Sequence, residues 1–165
     1  MEALRILSAS LRDDIKEKVL LVIAGRNDNN ALADIPFPHK SIGFLNDDRL
    51  LALAYQSADI FVCPSIQDAG PMMINEAIMC GTPVVAFDMG VAPDLVHTGR
   101  TGYKAKLKDS KDLARGIAEI LHLNKEEYSE MSNNCSELGL RLCHPKVQME
   151  GFEKLLKAIS SKAPY

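Results

Sequence analysis

The sequence predicts a doubly wound α/β domain built on a parallel sheet, and two observations carry that prediction. Short apolar runs closed by Gly or Pro alternate with stretches of helical period from residue 19 to residue 122. The runs are apolar at successive positions, the pattern of strands covered on both faces. One end departs from the plan. Domains of this class normally open on a strand, whereas this chain opens on a helix.

Leu4, Leu7, Leu11 and Ile15 form one apolar stripe with polar residues between them, which predicts an amphipathic helix over the first fifteen residues. Val19–Ala24 is an unbroken apolar run ended by Gly25, hence a strand buried on both faces. Residues 26–38 read as a loop with two late prolines, and a short strand follows at Ser41–Gly43. Asn46, Asp47 and Asp48 signal the start of a helix that runs to about Ser57. Asp59–Cys63 is the next buried strand, stopped by Pro64. Pro71–Cys80 is a helix with proline in its first turn and Gly81 just beyond its end. Pro83–Phe87 is a strand, Ala92–His97 a short helix and Gly102–Lys106 a last strand. Ser110 opens a helix with Leu113, Ile117, Ile120 and Leu121 on one face. Asn124 and Glu127 have the spacing of a capping box before a further helix, and His144-Pro145 starts the final one.

Composition narrows the function. The 165 residues are 47% hydrophobic and 25% charged, as in ordinary globular domains. Nineteen Lys and Arg against twenty-two Asp and Glu leave a formal charge of −3, which argues against a nucleic-acid protein held by its bulk field. The longest apolar run is far shorter than the roughly 18 residues of a membrane span, and charges near the N-terminus break up any signal-peptide core. Cys63, Cys80, Cys135 and Cys143 form no metal-binding pair and read as reduced, buried thiols. Neither a P-loop nor a G-x-G-x-x-G turn is present.

Residues 63–103 carry the chemistry. A strand ends at Cys63, a Ser/Asp/Gly/Pro loop follows, and a helix begins near Pro71. Ligands of open α/β sheets bind outside the carboxyl ends of the strands, where this loop lies. The helix N-terminus offers unpaired N–H groups to a phosphate. Pro71 has no N–H, so Met72 and Met73 are the better donors. Asp68 in the loop and Glu76 in the helix frame the site at a D-x7-E spacing. Carboxylates accept hydrogen bonds only, which suits the vicinal hydroxyls of ribose or a hexose. The plainer alternative makes Asp68 a helix-capping acid and Glu76 a solvated helix residue. Met72, Met73 and Met79 read more simply as core packing. Gly99–Gly102 reads as a tight turn rather than an anion nest. Asn134-Cys-Ser136 fits a glycosylation pattern but falls mid-helix. A Ser65/His97/Asp94 triad lacks its nucleophile elbow.

This stretch closely resembles the C-terminal, donor-binding domain of retaining GT-B glycosyltransferases of family 4, the glycosyl transferases group 1. The matching positions are Pro64, Ser65, Asp68, Glu76, Ala77, Gly81, Pro83, Val84, Val85, Gly90, Leu95, Val96, Gly99, Thr101, Gly102 and Tyr103. Gly43–Asp47 and Tyr55–Val62 resemble the family's preceding strand–helix–strand. The resemblance implies a Rossmann-like half of a GT-B fold. It implies that Glu76 holds the ribose hydroxyls and that Asp68, in the catalytic position, contacts the donor sugar. Gly70, Met72 and Met73 would approach sugar and diphosphate through backbone amides, and Leu45 and Asp47 would meet the base. The implied donor is a nucleotide-diphosphate sugar, used without a metal or other cofactor. The acceptor is a glycan or lipid-linked molecule bound by an N-terminal domain.

Three departures qualify the match. Asp68 is one methylene shorter than the family's glutamate, and Pro71 replaces a glycine. The family also carries a strand ending in Gly-Arg, then Lys-Gly, before the helix that here starts at Glu2. That strand is absent from this sequence, as are the Arg and Lys that grip the diphosphate. Residues 1–165 are therefore expected to form a single donor-binding domain with C-terminal helices at about 124–160, a truncated fragment of a two-domain enzyme that is inactive alone. In the strand order 3-2-1-4-5-6 the absent strand is central. The strand at 19–24 should then pair directly with that at 59–63, or leave a gap filled by a partner chain, a route to self-association. A role in polysaccharide, glycolipid or cell-envelope assembly, in the cytoplasm or peripheral to its membrane, completes the expectation. A GT-B-fold sugar-nucleotide 2-epimerase and a non-catalytic nucleotide-binding module stand as alternatives.

Overall fold

The computed structural model describes residues 1–25, 32–67 and 72–160. The loop reading of 26–31, and Asp68, Gly70 and Pro71, lie outside the described residues. The elements run α1 (Glu2–Ser10), α2 (Asp13–Lys16), β1 (Leu21–Ala24), β2 (His39–Gly43), α3 (Asp48–Gln56), β3 (Phe61–Cys63), α4 (Met72–Met79), β4 (Val84–Phe87), α5 (Ala92–Leu95), β5 (Gly102–Ala105), α6 (Ser110–Leu121), α7 (Lys125–Leu142) and α8 (Pro145–Ser160).

The described strands all pair in parallel, in two groups. β1 pairs β2, with Leu21 opposite His39. β3, β4 and β5 form the second group, with Val62 opposite Val85 and Val85 opposite Tyr103. β1 does not pair with β3, so the direct pairing expected of the strands at 19–24 and 59–63 does not occur.

Helices cover both faces of the three-stranded sheet, as the doubly wound class requires. Because side chains alternate along a strand, β4 serves two cores. Val85 and Phe87 join Leu7 and Leu11 with Leu113, Ile117 and Ile120 of α6. Val84 and Ala86 face the other way, onto Tyr55 of α3, Ile74 and Ile78 of α4, and Cys135 and Leu138 of α7. β4 is therefore buried along its whole length, as its run of apolar residues predicts. Burial pushes the Cys135 thiol up to about 12, consistent with a thiol that acts as a small core side chain.

The local signals explain most boundaries. The Asp47 side chain caps α3, accepting from the Arg49 and Leu50 amides. Asn124 and Glu127 form the expected reciprocal capping box on α7. Gly81 ends α4 with φ +79°, in the left-handed region that terminates helices. Gly102 has φ +147°, and its α-carbon faces the Val84 carbonyl so closely that no Cβ fits. The predicted turn before β5 is also present. The Arg100 and Thr101 amides both donate to the His97 carbonyl, so they are not available for an anion nest.

Three expectations need correction. The N-terminal amphipathic stretch breaks at Leu11 and Arg12, both extended, into two helices. Asp13 and Asp14 sit in the first turn of α2, where the helix dipole favours acids. β1 is not buried on both faces: its residues alternate half-buried and exposed, and Val22 is 50% exposed. An apolar run reports what a strand could bury, not whether a layer covers it. Finally, Met72, Met73 and Met79 are exposed rather than core residues, because α4 turns Ile74, Ala77 and Ile78 inward.

Candidate nucleotide-sugar site

The site is assembled on α3 and α4, which pack together. β2 ends at Gly43, and Phe44–Asp47 lead into α3. β3 ends at Cys63, and residues 64–71 lead into α4. Both helices thus begin after the carboxyl ends of parallel strands, the usual ligand position in open α/β sheets. Met72 and Met73, 62% and 43% exposed, occupy the first turn of α4. Backbone N–H groups of a first turn have no partner within the helix.

Glu76 lies one turn further along α4 and is half-buried. It is not a merely solvated helix residue. The Tyr55 hydroxyl, on α3, donates a 2.9 Å hydrogen bond to Glu76 Oε2. Burial first, and then the hydrogen bond to Glu76, raise the Tyr55 hydroxyl above its ordinary pKa, so it remains a donor. The Cys80 thiol, one turn beyond Glu76, is also pushed up, by burial and by the Glu76 charge. No ion pair among the described residues involves Glu76. Next to it, Asn75 Oδ1 is buried with no hydrogen-bond partner among the described residues.

The other candidates divide clearly. Leu45 is half-buried and Asp47 exposed, in the segment between β2 and α3. The Asp47 carboxylate is already engaged as a cap, at 2.8 Å from the Arg49 amide. Asp68 and Gly70 fall outside the described residues. Ser65, His97 and Asp94 share no hydrogen bond among the described residues: Ser65 accepts from the Cys63 thiol, and the His97 amide donates to Thr101 Oγ1. No group of three His, Cys, Asp or Glu side chains is placed to hold a metal ion among the described residues. No described helix is long and apolar enough to cross a membrane.

Two contributors are not legible as site residues in the sequence. Tyr55 reads as an aromatic residue near a helix end, and its partner lies 21 positions away. Thr82 reads as part of a helix–strand connection. It is buried, and its Oγ1 donates to the Tyr55 carbonyl at 2.7 Å. The charge pattern is informative too. From Leu50 to Gly99 the sequence contains no Lys or Arg. In that segment, helix N–H groups are the source of positive potential for a bound anion.

Fold and site together define a doubly wound α/β domain with a held carboxylate and an exposed first helical turn beyond its strands, the class that binds small ligands at this position. Residues 2–138 match the family described as glycosyl transferases group 1, and the chain belongs to that family. Among curated relatives, it is 28% identical over 113 residues to N,N'-diacetylbacillosaminyl-diphospho-undecaprenol alpha-1,3-N-acetylgalactosaminyltransferase of Campylobacter jejuni, covering 67% of this chain and 30% of that protein. It is 31% identical over 117 residues to D-inositol 3-phosphate glycosyltransferase 2 of Catenulispora acidiphila, covering 64% and 27%. The chain thus spans less than a third of either relative.

Solved structures agree on the fold. Anabaena HepE, in complex with UDP and glucose, superposes with a TM-score of 0.71 at 19% identity, over 94% of this chain and 44% of that one. Sucrose-phosphate synthase of Thermosynechococcus elongatus gives 0.74 at 21%, over 98% and 43%. The fold is the Rossmann-like α/β half of a GT-B glycosyltransferase.

Proposed function

We propose that this chain is the donor-binding half of a retaining, nucleotide-sugar-dependent glycosyltransferase with two domains, transferring a hexose to a glycan or lipid-linked acceptor. The observation that carries this reading is the Asp68/Glu76 spacing between β3 and β4, with Glu76 on α4 just behind an exposed first turn. Family membership supplies the chemistry, and the bound UDP and glucose of HepE offer a parallel for the donor. In this reading Glu76 accepts hydrogen bonds from the ribose hydroxyls, and Asp68 positions the donor sugar. The amides near Gly70, Met72 and Met73 meet sugar and diphosphate. Leu45 and Asp47 border the base, through the backbone where the Asp47 side chain is committed to its cap.

Transfer places the anomeric carbon beside an acceptor hydroxyl. The C–O bond to the diphosphate breaks, the acceptor oxygen bonds on the same face, and the leaving phosphate takes the acceptor's proton. Donors fixed before reaction stabilise the departing charge without reorganising. No metal is required in this reading, and the amides of the helix start carry the positive potential that meets the diphosphate. β1 and β3 are each paired along one edge among the described strands, and in this reading a further strand, from the same polypeptide or from a partner chain, pairs between them. The enzyme then works in the cytoplasm or at its membrane face, in assembly of a polysaccharide, glycolipid or envelope component.

The test is calorimetric titration of the two-domain enzyme with UDP-, GDP- and ADP-sugars, followed by an assay of sugar transfer and nucleotide release. One donor binds and its sugar moves to an added acceptor, while the 165-residue chain alone releases no nucleotide. C2 epimerisation of the donor, binding without chemistry, or turnover by the chain alone overturns the reading.

A further inference from the structure

The Tyr55–Glu76 pair has more order than a surface carboxylate and a nearby hydroxyl require. The Tyr55 ring is 8% exposed and meets Phe61 edge to face, with centroids 5.3 Å apart. Its main chain is fixed separately, by the 2.7 Å bond from Thr82 Oγ1 to the Tyr55 carbonyl. A phenol held at the ring and at the backbone can deliver its hydroxyl to only one place. That place is Oε2 of Glu76.

Glu76 depends on this contact. A glutamate on a helix surface samples several rotamers, and ordering it on ligand binding has an entropic cost. Among the described residues no Lys, Arg or His pairs with it. A carboxylate has about four acceptor positions, so with Tyr55 its one hydrogen-bond donor among the described side chains, the remaining positions can serve a ligand. A vicinal diol presents two donors at fixed separation and needs a carboxylate whose plane is already set.

We propose that Tyr55 is a positioning residue for nucleotide recognition: its hydroxyl fixes the Glu76 carboxylate so that both ribose hydroxyls are received without reordering the side chain. The inference rests on the assignment of Glu76 to the ribose. It also gives α3 a double task. The N-terminal end of α3 follows Leu45 and Asp47 at the base, and its C-terminal end carries Tyr55. One rigid helix thereby ties the base end of the site to the ribose acid.

The test uses the two-domain enzyme, titrated with UDP, ADP and GDP and with their 2′,3′-dideoxy counterparts, the tightest-binding base carrying the comparison. Tyr55→Phe keeps the ring contact with Phe61 and the Thr82 bond. It is expected to weaken the ordinary nucleotide by about 5–20-fold, a fraction of the roughly 10–150-fold worth of a whole hydrogen bond to a charged group, and to leave the dideoxy nucleotide within about twofold. In the Glu76→Ala background the same change is expected to add less than about twofold, because the group it positions is gone. Equal weakening of both nucleotides marks a structural role only and overturns the proposal. So does unchanged affinity for the ordinary nucleotide, or effects that multiply in the double variant.

A second measurement does not depend on the fold of the Phe variant. With 3-fluorotyrosine at position 55, the ¹⁹F resonance shifts on addition of the ordinary nucleotide and stays in place with the dideoxy form. Equal shifts overturn the inference. If Glu76→Ala binds as the parent does, or if no nucleotide binds, the ribose assignment falls and this inference falls with it. If Glu76→Ala weakens binding and Tyr55→Phe does not, only this inference falls.

Discussion

The two groups of strands differ in how far they are finished. β4, in the three-stranded group, has neighbours on both edges and helices on both faces, and each of its residues is buried. β1, in the two-stranded group, has one paired edge, and alternate residues face outward. Both strands are comparably apolar in sequence. The difference teaches that burial belongs to the assembly rather than to the strand. It also locates the site: α3 follows the sparse group in sequence but packs Tyr55 into the core of the dense one, where its hydroxyl meets Glu76 of α4.

The largest expected effect lies in the dense group. Gly102→Ala places a methyl against the Val84 carbonyl at a backbone angle that favours glycine. A loss of about 3 kcal/mol in denaturant unfolding is expected. A change below about 1 kcal/mol would show that β4 and β5 can separate cheaply and would weaken the contrast between the groups.

At the site, Glu76→Ala is expected to raise the nucleotide Kd of the proposed two-domain enzyme by tenfold or more, about 1.4 kcal/mol. Its melting temperature should hardly move, because Glu76 is only half-buried and anchors no ion pair among the described residues. A large melting shift with unchanged Kd would make Glu76 a structural link between α3 and α4 instead.

Asp112 tests the dense group through pH. It accepts from the Lys106 amide at 2.7 Å and from the Tyr103 hydroxyl at 2.8 Å, and it pairs with Arg115. The Lys106 amide foremost, with the Tyr103 and Arg115 contacts, holds its carboxyl below the usual carboxylate range. The folded value is therefore lower than the unfolded one of about 3.9. The ionised carboxylate contributes its full stabilisation above that unfolded value, and the contribution is lost as pH falls through the folded value. Asp112→Asn should cost about 1 kcal/mol at neutral pH and flatten the acid limb of the stability–pH curve. An unchanged acid limb would assign that limb to other groups. The smallest effect belongs to β1: Val22→Thr should alter unfolding of the 165-residue chain by less than about 0.5 kcal/mol. A cost above about 1 kcal/mol would show that the outward face of β1 is covered after all.

The pattern of what could be read from sequence follows the same division. β4, the Gly81 helix end, the Asp47 cap and the Asn124/Glu127 box are local, and each was visible within a few residues. The break at Leu11–Arg12 was not visible, because Leu11 keeps its place in the core although the helix stops there. The exposure of Val22 depends on strand neighbours, which a run of apolar residues does not report. At the site, the resemblance pointed to Glu76 by motif spacing. Its partner could not be found that way, since Tyr55 reaches it between two helices that have no fixed sequence offset.

The most direct test of the account is a crystal structure of the proposed two-domain enzyme with the nucleoside diphosphate that binds most tightly. The account predicts both ribose hydroxyls within about 3 Å of the Glu76 carboxylate oxygens, with Tyr55 still donating to Oε2 and the diphosphate against the first turn of α4. A nucleotide seated elsewhere, for example at the small cavity lined by His97, Arg100 and Arg141, with Glu76 untouched, would contradict it.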